Sequence, residues 1–305
     1  MKKLITLMFA IVLTSSMAFA QDNTASSTAT GSYNSSDIAQ DGSNNEATIT
    51  QNGSSNAATI EQGIQGITSN NDVASINQVG QGNSAVLKSR DGWGGSSAAI
   101  SYTVDQQGNG NSVEATAFNG PATGDISQSG SDNSAKLTQH TSSDMLTELE
   151  QSGIGNSAII KQISGADNSV LQATVNGDYN TMDITQSGGA WQKLVLNVSG
   201  SDNDVTGTLG AHDADQFTSI EGIGNTFEFY QGESSDAGVS ISGNYNDVTL
   251  MQNGIGNSVF DTVPWDRNGI VVNGMDNTVG VTQNGNYNTA TVNVAGIGNT
   301  ATITQ

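Results

Sequence analysis

The side chains best able to do specific chemistry in this 305-residue chain are carboxamides that recur at fixed spacing. One set is Gln40, Gln51, Gln62, Gln78, Gln128, Gln139, Gln151, Gln162, Gln252, Gln283 and Gln305. The other is Asn45, Asn56, Asn83, Asn133, Asn156, Asn257, Asn288 and Asn299. A carboxamide offers two donors and an acceptor oxygen, so identical amides stacked on neighbouring strands can bond up and down as a ladder. That chemistry is structural. Catalysis has little to work with: the chain has no Cys, and its two His, His140 and His212, stand in different repeat units. We therefore expect no catalytic residue, no metal and no cofactor.

Elements must aim those amides, and the spacing says which. Gly-x-x-Asn recurs with glycines at Gly42, Gly53, Gly80, Gly108, Gly130, Gly153, Gly165, Gly177, Gly200, Gly222, Gly243, Gly254, Gly274, Gly285 and Gly296. Successive copies lie about 11 or about 22 residues apart, a repeat period that must be settled before any other reading. In the clean unit Gln51 to Gln62, Asn56, Ala58, Ile60 and Gln62 share one parity, while Ala57, Thr59 and Glu61 take the other. Strict alternation marks a strand with one buried face. The same frame holds at Asn133/Ala135/Leu137/Gln139, at Asn156/Ala158/Ile160/Gln162 and at Asn299/Ala301/Ile303/Gln305. Between strands lie four residues such as Asn52-Gly53-Ser54-Ser55, enough for a tight reversal with Gly supplying positive φ. Gly or Asp usually precedes the Asn and tolerates left-handed backbone, whereas Tyr179, Tyr245 and Tyr287 in that slot do not fit as easily.

Two half-units close one strand-turn-strand coil of about 22 residues, and coils about 4.8 Å apart stack strand on strand. The expected fold is all-β, a β-solenoid with cross-β-like stacking over residues 37–305. Inward Ala, Val, Leu and Ile make a thin dry core, and inward Gln and Asn make the ladders. Pro121 and Pro264 fall between strand templates, where their missing donor is tolerated. The stretches 63–71, 88–98, 210–219 and 261–269 break the pattern and are expected to bulge from coil edges.

Composition bounds the rest. A basic start, the apolar run Leu4 to Leu13 and Ala18-Phe19-Ala20 have the layout of a secretory signal peptide over 1–20. Residues 21–36 lack the repeat and are expected to be a flexible leader. With 29 acidic against 8 basic residues, a net charge of −21, neither nucleic acid nor an anionic membrane is an expected partner. No later run is long and apolar enough to insert in a bilayer. Asp132, Asp167 and Asp202 in turns are read as gatekeepers that slow premature assembly.

The pattern Gln-x-Gly-x-x-Asn-x-Ala-x-x-x-Gln, at 40–51, 51–62, 128–139 and 151–162, resembles the curlin repeat of curli fibre subunits. Looser copies cover most of 38–305. The resemblance implies a secreted subunit that polymerises with itself into extracellular amyloid fibres for biofilm matrix, adhesion and cell aggregation. It also implies a nucleator subunit and an outer-membrane secretion channel as partners, with 21–36 where the family carries its secretion-targeting segment. The chain departs from the pattern where Ser89, Ala117 or Asp261 replaces a Gln and where Trp93 and Trp265 stand in inserts. A different class of function is a soluble monomeric β-solenoid that binds glycans or ice, motivated by the Thr48/Thr50 and Thr302/Thr304 rows. Capping separates the two, since a monomeric solenoid needs polar caps; the intact repeat up to Gln305 is expected to leave an open stacking surface.

Overall fold

The computed structural model describes residues 22–63, 69–90, 99–118, 122–140, 145–163, 170–187, 193–210, 214–260 and 269–305. Among them there is no helix, and hence none long and apolar enough to cross a membrane. The alternation read from the sequence is the alternation of burial. Along Glu46–Ser54 the inward Ala47, Ile49 and Gln51 are buried and the intervening Thr48 and Thr50 face outward. Two sheets result, each a path of twelve strands in chain order. The first path runs Thr24–Ser32, Glu46–Ser54, Val73–Gln81, Ile100–Asn109, Ala122–Ser131 and Met145–Ile154, then Val170–Asp178, Lys193–Ser201, Asp215–Ile223, Asp236–Asn244, Ile270–Met275 and Val292–Ile297. The second begins with Ser35–Gln40 and Ala57–Gln62 and ends with Thr278–Asn284 and Thr300–Thr304. Every neighbouring pair along these paths is parallel, with like on like: Ala47 opposite Ala74, Ile49 opposite Ile76, Gln51 opposite Gln78. The molecule is a β-solenoid of twelve coils whose two sheets enclose one narrow core.

One turn of each coil is invariant. It carries Gly-x-x-Asn in all twelve coils, from Gly31/Asn34 to Gly296/Asn299. Its first glycine takes φ between +108° and +136°. At Gly53 a Cβ would meet the carbonyl oxygen of Gly80 in the next coil at 1.9 Å, so backbone lies directly on backbone. The residue before the Asn is left-handed too, even when it is Tyr179 or Tyr245, at φ 56° and 55°. The rings of Tyr179 and Tyr245 lie along the Cα of a glycine in the preceding coil, Gly155 or Gly224, a contact that offsets part of the left-handed penalty of about 1–2 kcal/mol; Tyr33 takes φ 59° without one.

The opposite turn absorbs the irregularities. Coil-to-coil steps of 22 or 23 residues predominate at the Asn positions, as between Asn111 and Asn133 or Asn133 and Asn156. They range from 21, between Asn225 and Asn246, to 31, between Asn246 and Asn277. In the 31-residue coil Ser258–Val259 and Ile270–Met275 both pair with Asp236–Asn244. Two expectations are corrected. Residues 24–32 do not form a flexible leader but a strand in register with Glu46–Ser54; the overlooked signal is Gly31-Ser32-Tyr33-Asn34, a further turn tetrad. Parts of the expected bulges are strand as well: Lys88–Arg90 belongs to Ser84–Arg90, and Asp215–Ser219 to Asp215–Ile223. Ser69–Asn70 pairs with Gly42–Ser43. The inward parity of Ser89, Gln216 and Thr218 holds these segments in the sheets. The first twenty residues, Pro121, Pro264, Gly165, Asn168, Asp167, His212, Asp261, Trp93 and Trp265 lie outside the described residues.

The two glycine slots differ in a way that unfolding can read. Gly153→Ala puts a Cβ 1.9 Å from the Gly177 oxygen at φ +117° and is predicted to cost about 3 kcal/mol or more in urea unfolding of the monomer. Gly82→Ala, at φ +69° with open space around it, is predicted to cost only about 1 kcal/mol.

Candidate functional site: columns of buried amides

The Asn at the invariant turn forms one continuous column of twelve residues from Asn34 to Asn299. Asn203, fully buried, shows the full pattern, from which Asn83 and Asn111 depart by turning one Nδ2 hydrogen to the Val79 and Gln107 carbonyls of their own coils. The backbone N–H and one Nδ2 hydrogen of Asn203 donate to Asn180 Oδ1 at 3.1 and 2.9 Å. The other Nδ2 hydrogen donates to the Gly222 carbonyl at 3.0 Å. Its Oδ1 accepts the backbone N–H and Nδ2 of Asn225, both at 3.0 Å. Every donor and lone pair of the side chain is satisfied, and each bond joins two coils. Asn56, Asn83, Asn133 and Asn156 belong to this column, as do Asn111, Asn180, Asn225, Asn246 and Asn277.

Glutamines form two further columns, one per sheet, and these are broken. In the first sheet Gln51, Gln78, Gln106, Gln128 and Gln151 follow one another, each Nε2 donating to the next Oε1 at 2.7–2.9 Å. Beyond Gln151 the slot holds Val175, Val198, Ile220, Ile241, Val272 and Val294. In the second sheet the runs are Gln40–Gln62, Gln139–Gln162–Gln186 and Gln231–Gln252–Gln283–Gln305. Ser89, Ala117 and Leu209 occupy the gaps. A buried amide oxygen at the start of a run has lost its donor. Gln51 Oε1, opposite Ala29, and Gln231 Oε1, opposite Leu209, are buried without a hydrogen-bond partner. So is Gln216 Oε1, which belongs to no column and stands between Leu194 and Ala237.

The third start, Gln139, is repaired. Tyr102 occupies a core slot of the first sheet between Ala74 and Gly124, and the absent side chain of Gly124 makes room for the ring. It fills the space left by Ser89 and Ala117, and its hydroxyl donates to Gln139 Oε1. Burial, with the Asp72 carboxylate nearby, holds its phenol well above the ordinary range, so it stays a neutral donor. Asp72 ends a shorter column at the variable turn, made with Asn23 and Asn45. Its backbone N–H donates to Asn45 Oδ1, and its carboxylate accepts from Ser89 Oγ at 2.7 Å and the Ile100 N–H at 2.9 Å. Asn257 and Asn288 make the equivalent contact near the other end.

The sites named from the sequence thus separate into several columns. Of them, Gln40 and Asn288 are half-buried and Asn299 and Gln305 exposed, while the rest of the amides are buried. Sequence reasoning missed Asn34, Gln106, Gln186 and Gln231, whose parity would have revealed them, and Tyr102, which carries no repeat signal. His140 lies exposed on the outer face, 5.4 Å from the Phe118 ring. Among the described residues no group of three His, Cys, Asp or Glu is placed to hold a metal.

Two substitutions report on the column ends. Ala29→Gln supplies the donor that Gln51 Oε1 lacks and is predicted to stabilise the monomer by about 1 kcal/mol in urea unfolding. Tyr102→Phe orphans Gln139 Oε1 and is predicted to cost about 1–3 kcal/mol at neutral pH. Because folding raises the phenol's pKa, its contribution is complete below the unfolded value of about 10 and declines as pH rises above it. The variant is predicted to show less alkaline loss of stability than the parent.

Two segments of the chain, 42–73 and 274–305, match the curlin associated repeat. No curated protein matches the chain in sequence. Both matched segments contain the invariant turn, Gly53–Asn56 in one and Gly274–Asn277 and Gly296–Asn299 in the other. The same turn and the same asparagine column run through every coil between them, and the two matched segments support a curlin-family protein.

Proposed function

We propose that this chain is a secreted structural subunit that stacks with copies of itself into curli-like extracellular amyloid fibres, serving biofilm matrix, adhesion and cell aggregation. The observation that carries the reading is the unbroken asparagine column. Each interior coil presents the same donors and acceptors to the coil above and the coil below, so a coil from a second chain can continue the column as well as one from the first. Carboxamides left unpaired against an apolar core are costly, and in-register parallel strands at an exposed edge template further strands. The composition agrees: a net charge of −21 disfavours nucleic acid and anionic membranes as partners. A nucleator subunit and an outer-membrane channel are the further partners that the match to the curlin repeat suggests.

The test is polymerisation of the chain lacking its first twenty residues, released from denaturant and followed by thioflavin T. The reading predicts a lag abolished by preformed seeds and a meridional reflection at about 4.7–4.8 Å. A persistent strand-rich monomer that ignores seeds would replace it with the soluble binding solenoid.

A further inference from the structure

Four turns of the chain read Gly-Ile-Gly-Asn, at 153–156, 222–225, 254–257 and 296–299, and four read Gly-x-Tyr-Asn, at 31–34, 177–180, 243–246 and 285–288. Three pairs are matched within the molecule, each Gly-Ile-Gly-Asn turn followed in the next coil by a Gly-x-Tyr-Asn turn. The contact is the same each time. The Tyr ring lies along the Cα of the second glycine: Tyr179 on Gly155, Tyr245 on Gly224, Tyr287 on Gly256. The Tyr backbone N–H donates to the Ile carbonyl, Tyr179 to Ile154 and Tyr245 to Ile223 at 2.8 Å, Tyr287 to Ile255 at 3.0 Å. The Ile backbone N–H donates to the side chain preceding the Tyr: Asp178, Asn244 and Asn286.

One turn of each kind is left over, and both carry the mark of a missing partner. Tyr33 is 89% exposed, against 61% and 59% for Tyr179 and Tyr245, which have a coil on both sides, and 80% for Tyr287. Ile297 is 73% exposed, against 44% for Ile154 and Ile223. Nothing lies within 4 Å of a Cβ built on Gly298. Because each Tyr leans over the preceding coil, Tyr33 leans away from its own second coil.

We propose that these two leftovers are partners between copies: the turn Gly296–Asn299 of one molecule receives the turn Gly31–Asn34 of the next, parallel and in register. Tyr33 lies along Gly298, its N–H donates to the Ile297 carbonyl, and the Ser32 hydroxyl accepts the Ile297 N–H. The same docking sets Asn34 on Asn299, Ile38 on Ile303 and Gln40 on Gln305. This deepens the fibre reading and rests on it. It fixes which end meets which, and an axial repeat of about 58 Å for twelve coils at about 4.8 Å each.

Ser32 and Ile297 hold equivalent register positions in their coils, and in-register neighbours fall within disulfide range. The test is oxidation of assembled Ser32→Cys/Ile297→Cys chain, which is otherwise free of Cys, followed by denaturing electrophoresis without reductant. The expected result is a ladder of covalent multimers, with none from either single variant. Fibres that form but do not cross-link, or that dimerise through Ile297→Cys alone, would overturn the proposed docking and leave the fibre reading in place. Absence of any polymer would remove both. Tyr33→Ala is expected to raise the critical concentration about tenfold without altering the monomer's circular dichroism, and Tyr33→Phe to leave it unchanged. An unchanged value for Tyr33→Ala would overturn the role given to the ring.

Discussion

The rest of the structure depends on one constraint, the hydrogen bond between like amides about 4.8 Å apart in a core without water. Most amides there are satisfied by another amide at the same position in the next coil, as Asn180, Asn203 and Asn225 are. That pairing forces parallel, in-register stacking, since slipping a strand by one residue would turn the whole amide set outward. It also explains the turn. The Asn column uses the glycine carbonyl of the following coil as acceptor, as in Asn203 to Gly222, and that carbonyl sits where a Cβ would otherwise be. Asn and Gly are thus two halves of one device. Insertions consequently collect at the variable turn and none interrupts the column.

Asparagine and glutamine columns are polarised oppositely. The amide-to-amide bonds run toward the C-terminal coils in the Gln runs, Gln106 to Gln128, and toward the N-terminal coils in the Asn column, Asn203 to Asn180. Where a Gln run stops, a carbon-lined slot replaces it, and the structure tolerates an orphan oxygen at Gln51 and Gln231 or covers it with Tyr102. The Asn column has no such stops, because losing an Asn would also strip a backbone N–H and a glycine carbonyl of their partners. Outer-face ion pairs join adjacent coils, Lys88–Glu61 at 3.0 Å half-buried and Lys136–Glu114 at 2.8 Å exposed, and the exposed pair contributes little by comparison.

Strand positions, coil length and inward parity were legible in the sequence because period-2 alternation and the Gly-x-x-Asn spacing both follow directly from stacking. The first coil was not, since its inward Ala25, Ser27 and Ala29 are small or polar and hide the alternation; only Gly31 and Asn34 betray it. Left-handed Tyr33, Tyr179 and Tyr245 were not foreseeable from single-residue preference, because the slot's backbone is set by the Gly-x-x-Asn turn and not by the residue in it. Tyr102 escaped for the same reason: its partner, Gln139, is 37 residues along the chain.

The most direct measurement is a cryo-electron-microscopy reconstruction of assembled fibres at a resolution that separates the layers. The account predicts layers about 4.8 Å apart with the asparagine column crossing each subunit boundary in register, Asn299 to Asn34. Layers that run antiparallel, or an asparagine column that stops at every boundary, would contradict it.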